Sequence, residues 1–120
     1  MKINLLDGAL GTMLIKRGIQ LPQHTWSAQA NIDHPNLVYK IHKAYIEAGA
    51  THLIANTFRS TARAYKKTGL SKEESKKKSK KSLTTAIALA NKAAKKKTKV
   101  FASIAPLEDC YMPDLFPGKT

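Results

Sequence analysis

Cysteine is nearly absent from this chain: Cys110 is the only one. A single thiol excludes an internal disulfide, fits a reducing cytoplasm, and rules out a multi-cysteine metal site within one chain. Long apolar runs are missing as well, none approaching the roughly 18 residues of a membrane span. After one lysine the N-terminus passes straight into Ile3-Asn4-Leu5-Leu6-Asp7, with no apolar leader core and no small-residue cleavage site. Together these absences predict a cytoplasmic chain with no membrane partner. The four histidines, His24, His34, His42 and His52, show no metal-ligand spacing; His34 precedes a helix-starting proline and His42 falls inside a helix, both structural positions.

Acidic residues are scarce, 8 against 21 lysines and arginines, for a net charge of +13. The excess is local. Lys66 to Lys99 holds thirteen lysines against Glu73 and Glu74, so this segment carries +11 and the remainder is nearly neutral. A small basic nucleic-acid-binding module using this segment is the alternative reading, since lysine clusters supply phosphate contacts. The lysines circle the predicted helix instead of lining one face, however, and only Tyr65 and Phe101 flank them as aromatics. A solvated outer helix accounts for them more simply. The hydrophobic content of 42% argues against wholesale disorder, and 120 residues suit one small domain or part of a larger one.

Along the chain, Ile3–Asp7 reads as a first strand and Ala9–Arg17 as a short helix closed by Gly18. Ile19–Asp33 reads as a loop with Pro22, His24 and Trp26. A helix then opens at His34-Pro35, with Leu37, Ile41, Ala44, Tyr45 and Ala48 on one face, and ends at Gly49. Thr51–Asn56 has the length and apolarity of a strand buried on both faces. Ser60–Thr68 predicts a helix stopping at Gly69. Ser71-Lys72-Glu73-Glu74 has the form of a capping box opening a long helix to about Lys97, with an inward stripe of Leu83, Ala86, Ile87, Ala90 and Ala94. Lys99–Ile104 predicts the third strand, stopped by Pro106, and Leu107–Thr120 a loop.

Strand, helix, strand, helix, strand is the rhythm of an α/β fold with parallel strands and right-handed crossovers. Its strand tips, Asp7-Gly8, Asn56-Thr57 and Ala105-Pro106, then share one rim, where ligands bind in such folds. Asp7 puts a carboxylate there beside a glycine with no side chain to block a ligand.

Four segments carry a resemblance: Leu5-Leu6-Asp7-Gly8-Ala9-Leu10-Gly11-Thr12; Trp26-Ser27-Ala28-Gln29-Ala30; His34-Pro35 through Ala44-Tyr45-Ile46-Glu47-Ala48-Gly49-Ala50; and Asn56-Thr57-Phe58-Arg59-Ser60-Thr61. In order and spacing they resemble the homocysteine S-methyltransferase family, homocysteine-binding (β/α)8 barrels. Ser103-Ile104-Ala105-Pro106-Leu107-Glu108-Asp109-Cys110-Tyr111 is consistent with one bacterial branch of it. The resemblance implies that residues 1–120 form a partial homocysteine-binding domain: the N-terminal three βα units of a TIM-type barrel, incomplete because the fold takes about 250 residues. The chain then reads as the front part of a longer enzyme.

The family moves a methyl group onto the homocysteine thiol, giving methionine. A thiol with pKa near 8.5 is mostly protonated at neutral pH, and zinc deprotonates it. By resemblance Asp7 accepts the homocysteine ammonium, the Gly8 backbone faces its carboxylate, and Asn56 and Thr57 line the amino-acid end of the pocket. Ala55 stands where the family often has the first threonine of Thr-Asn-Thr-Phe, a lost hydrogen bond being worth roughly 0.5–1.5 kcal/mol. Trp26 lies where some members place an aromatic near the substrate sulfur, able to make a cation–π contact, or else packs over the rim. Arg59 either meets a substrate carboxylate or is solvated.

The family's zinc cysteines come from a Gly-x-Asn-Cys and a Gly-Gly-Cys-Cys segment, and neither occurs in these 120 residues. Cys110 follows Glu-Asp in the third loop and takes no zinc role by this resemblance. The expectation is therefore no catalytic residue and no metal ligand in this chain, no zinc bound by it alone and no methyl transfer by it alone. Homocysteine, an unidentified methyl donor and a C-terminal complementing chain are the implied partners.

Overall fold

A computed structural model describes residues 1–118. Its sheet holds two parallel strands, β1 (His52–Ala55) and β2 (Lys99–Ala102), in a register pairing His52 with Lys99 and Ala55 with Ala102. The helices are α1 (Leu10–Lys16), α2 (Ala30–Asp33), α3 (Pro35–Glu47), α4 (Ala62–Lys66) and α5 (Lys72–Ala94). Among the described residues no helix is long and apolar enough to cross a membrane.

The first expected strand, Ile3–Asp7, does not form as a strand, so the described residues hold two βα-type strands and not three. The segment lies parallel to β1 but makes a single bridge, Leu6 to His52. The reason is visible in its hydrogen bonds. Leu5 C=O accepts from His52 N–H at 3.1 Å and Asp7 N–H donates to His52 C=O at 3.0 Å. The next rung would run from Ile54 N–H to the Asp7 carbonyl; instead Ile54 N–H donates to Asp7 Oδ2 at 3.1 Å. At the other end Leu5 N–H donates to Thr51 Oγ1 at 2.8 Å. Side chains replace backbone acceptors on both sides of the bridge, and Ile3, Leu5 and Leu6 stay exposed with nothing packed outside them.

Helix starts and stops follow local chemistry. Pro35 occupies the first turn of α3, where a missing N–H costs nothing. Gly49 ends that helix at φ +111°, a conformation costly for any residue with a Cβ. The capping box of α5 is complete, Glu74 N–H donating to Ser71 Oγ and Ser71 N–H to the Glu74 carboxylate. The structure corrects two expectations. The segment 19–33 is not all loop: Trp26–Gln29 forms a 3-10 turn running directly into α2. The inward stripe of α5 is Ser75, Ser79, Ser82, Ala86, Ala90, Ala93 and Ala94, while Leu83 and Ile87 lie partly exposed on its flank. Small residues let α5 approach α2, α3 and α4 closely; the Ser79 hydroxyl donates to the Lys76 carbonyl and the Ser82 hydroxyl to the Ala28 carbonyl.

Two apolar clusters hold the layers together. Leu14, Ala30, Val38 and Ile41 join α1, α2 and α3. Leu53 packs against Ala93 and Ala94, seating β1 on α5. The strand β2, expected over Lys99–Ile104, ends at Ala102 and is mostly exposed, with Ile104 beyond it exposed as well. The following loop contains a 3-10 turn, Pro113–Leu115; its expected last residues, Lys119 and Thr120, lie outside the described residues.

Candidate functional site

The ends of the N-terminal segment, β1 and β2 surround an open cleft of about 260 Å³, lined by Leu6, Asp7, Gly8, Leu10, Ile54–Asn56, Phe58 and Ser103. Among the described residues Asp7 is its only ionisable lining group. Burial pushes the Asp7 carboxyl above its ordinary value, against hydrogen bonds from the Ile54 N–H and its own N–H that favour the anion. A carboxylate offers about four acceptor sites, of which the Ile54 and Asp7 N–H groups take up two at most.

Gly8 is required by close approach. A Cβ there would lie 2.9 Å from the Tyr45 ring and hydroxyl. That hydroxyl donates to the Ala9 carbonyl at 3.1 Å, which fixes the ring in place. The backbone beside Asp7 is thereby open toward the cleft and closed behind.

Asn56 lines the cleft, but its side chain belongs to a buried network. Its Nδ2 donates to the Ser27 carbonyl at 2.7 Å and to Asn31 Oδ1 at 2.9 Å, and its Oδ1 accepts from Ser27 Oγ at 2.7 Å. Asn31 Nδ2 donates in turn to the Asn56 carbonyl and to Ser82 Oγ, and Ser60 and Ser82 share a hydroxyl–hydroxyl bond at 2.9 Å. Thr57 is buried and lies outside the cleft wall; its Oγ1 donates to the Ser103 carbonyl at 2.7 Å and accepts from Ser103 N–H at 2.8 Å. It ties the tip of β1 to the tip of β2.

Trp26 reaches the cleft only through Phe58, on which it stacks at 6.1 Å between ring centroids. The Arg59 guanidinium lies 4.0 Å above the Trp26 ring, so that ring already carries a cation. Arg59 is largely buried and pairs with Asp109 at 3.4 Å. Asp7, Gly8 and Asn56 therefore share one cleft, whereas Thr57 and Trp26 stand behind its wall. The roles of Ser27, Asn31, Ser60 and Ser82 escape a reading of the sequence; isolated serines and asparagines carry no periodic signal, and only their convergence reveals them.

Cys110 is exposed in the 105–112 loop, away from the cleft lining. Among the described residues no three His, Cys, Asp or Glu side chains come together as a metal site. The lysines of α5 line other surfaces and none reaches the cleft.

Residues 4–119 match the family model for homocysteine S-methyltransferase. This chain belongs to the homocysteine S-methyltransferase family. It is 38% identical over 71 residues to homocysteine S-methyltransferase 3 of Zea mays, covering 59% of this chain and 21% of that protein. It is 36% identical over 74 residues to homocysteine S-methyltransferase of Escherichia coli K12, covering 62% of this chain and 24% of that one. The fold is similar to the homocysteine methyltransferase MmuM from Escherichia coli in its oxidized form. That match has a TM-score of 0.74 and 31% identity, over 87% of this chain and 37% of the other. The chain thus spans about a quarter or less of the length of these curated relatives. Membership of a methyltransferase family lends no support to the nucleic-acid reading of the lysine-rich helix.

Proposed function

We propose that the Asp7 cleft holds the amino-acid end of homocysteine, as the substrate-binding part of a homocysteine S-methyltransferase. The observation that carries this is Asp7 itself: a half-buried carboxylate, the sole ionisable group among the described lining residues, braced by the Ile54 N–H and left with acceptor sites to spare. A primary ammonium is its natural counterpart, because a charge-assisted hydrogen bond repays the desolvation that raises the carboxyl. The apolar walls, Leu6, Leu10, Ile54 and Phe58, suit the short two-methylene stem that carries the substrate thiol. In this reading Gly8 leaves room for the substrate carboxylate, Asn56 forms part of the wall, and Thr57 and Trp26 support that wall from behind.

Homocysteine titrated into the chain should bind saturably, followed by calorimetry. Asp7→Asn should weaken that binding about tenfold or more, the worth of one hydrogen bond to a charged group. N-acetylhomocysteine, which lacks the ammonium, should bind the wild-type chain as weakly as homocysteine binds the variant. Equal affinities for wild type and Asp7→Asn would overturn the assignment.

The residues present do not fit a zinc centre. The lone thiol, Cys110, is exposed and outside the cleft, and a three-thiolate site needs two more cysteines than the chain has. Activation of the substrate sulfur by zinc would need thiolates that this chain does not supply, and the parallel arrangement of the N-terminal segment, β1 and β2 is suited to being part of a (β/α)8 barrel. A C-terminal complementing segment would also cover the exposed flank of β2. The chain alone is expected to hold no stoichiometric zinc and to form no methionine from homocysteine and a methyl donor. Metal analysis after dialysis and a product assay check both, and one tightly held zinc per chain would refute the expectation.

A further inference from the structure

Three loops meet behind the cleft wall in a closed ring of contacts. The Arg59 guanidinium covers the Trp26 ring at 4.0 Å and reaches the Phe58 ring at 5.6 Å. Its Nη2 pairs with Asp109 Oδ1 at 3.4 Å. That same oxygen accepts the Tyr111 N–H at 2.9 Å, and the Tyr111 ring returns to Trp26 at 5.9 Å. Phe58, stacked on Trp26, is the member of this group that lines the Asp7 cleft. Trp26 has a backbone φ of +46°, a left-handed conformation uncommon for a bulky aromatic and held only where its surroundings enforce it.

We infer that Arg59 is a positioning residue: a cationic clamp that sets the Trp26–Phe58 wall of the cleft and fastens the 105–111 loop across it. The planar guanidinium suits this task. It lies flat on an aromatic face while its edge binds a carboxylate, which an ammonium cannot do at once. Arg59 belongs to the segment after β1, Trp26 to the turn before α2, and Asp109 and Tyr111 to the loop after β2, so one side chain joins all three. Its burial, with 11% of the side chain exposed, excludes a freely solvated role. With Asp109 on its edge and Trp26 beneath it, Arg59 is also absent from the cleft lining, which separates it from direct contact with substrate. The link from this clamp to affinity rests on the proposed homocysteine reading of the cleft.

Trp26 is the only tryptophan in the chain, so its fluorescence reports the clamp directly. The Arg59→Ala and Asp109→Asn variants are expected to show red-shifted Trp26 emission and stronger acrylamide quenching than wild type, with far-UV circular dichroism preserved. Arg59→Lys should recover part of the protection. Homocysteine affinity should fall about two- to tenfold in Arg59→Ala, the range of one cation–π contact. Unchanged emission and quenching in both Arg59→Ala and Asp109→Asn would overturn the clamp. A loosened Trp26 with unchanged homocysteine affinity would overturn its role at the cleft. If Arg59→Ala does not fold, Arg59→Lys and Asp109→Asn decide the matter by the same readings. Failure of the wild type to bind homocysteine, with Trp26 still released in the variants, would refute the functional reading and leave the clamp standing.

Discussion

Asn56→Ala is expected to cost about 2–4 kcal/mol of folding stability, because it leaves several buried polar groups without partners at once. The side chain of Asn56 makes three hydrogen bonds, to Ser27 Oγ, the Ser27 carbonyl and Asn31 Oδ1. Alanine removes all three. Asn31 then keeps its bonds to the Asn56 carbonyl and Ser82 but loses the donor to its own oxygen. Small domains hold only about 5–15 kcal/mol in total, so the loss should be plain in urea unfolding followed by circular dichroism. Asn31→Ala should be similarly damaging. The double variant should fall short of the sum of the two by about 0.5–3 kcal/mol, since both remove one shared network. Losses that add fully, or an Asn56 effect below about 1 kcal/mol, would show that solvent replaces these bonds and that the network does not hold the tip of β1.

His42 sets the second large effect, through acid. It is fully buried on α3 and neither ring nitrogen has a hydrogen-bond partner among the described residues. Burial, by disfavouring the imidazolium, lowers its pKa from 6.5 to about 4. The unfolded chain therefore takes up a proton near pH 6.5 while the folded chain does not until about pH 4. Stability should be complete above the unfolded value, decline as pH falls from 6.5 to 4, and flatten below that. The loss across this window amounts to about 3 kcal/mol, since excluding one proton costs about 1.4 kcal/mol for every pH unit traversed. His42→Leu should remove this limb of the pH–stability curve. At pH 7.5 it should leave stability unchanged or raised, because it replaces an unsatisfied polar ring by an apolar side chain. Urea midpoints measured between pH 4 and pH 7.5 for the two proteins give the test; identical slopes would refute it. Glu74 and Glu108, both held below their ordinary carboxylate range by hydrogen bonds, contribute at the acid end equally in both proteins. Their effect cancels in the comparison.

How far the molecule can be read from its residues differs from element to element. The α3 and α5 helices are legible because their signals are local: Pro35 and Gly49 bracket the first, and Ser71 with Glu74 opens the second. The inward face of α5 is not legible. Its buried positions are serines and alanines, and hydrophobicity points instead to Leu83 and Ile87, which the packing leaves on the flank. The N-terminal segment misleads in the opposite sense. Ile3–Asp7 has a strand's composition, yet Asp7 and Thr51 place side-chain oxygens where the ladder needs backbone carbonyls.

By itself the sequence determined the α/β class, the span of α3, the start of α5 and the family, and it pointed to Asp7-Gly8 as the place to look for a ligand. These depend on residue order and short-range chemistry, to which neighbours in the chain contribute most. Only the tertiary structure decided what each candidate side chain does. Asn56 turned inward to Ser27 and Asn31, Thr57 bridged to Ser103, and Arg59 settled on Trp26, each across 25 residues or more of chain or between loops far apart in sequence. A polar side chain takes the best partner within reach once the backbone has packed, and which partner lies within reach is a property of the fold.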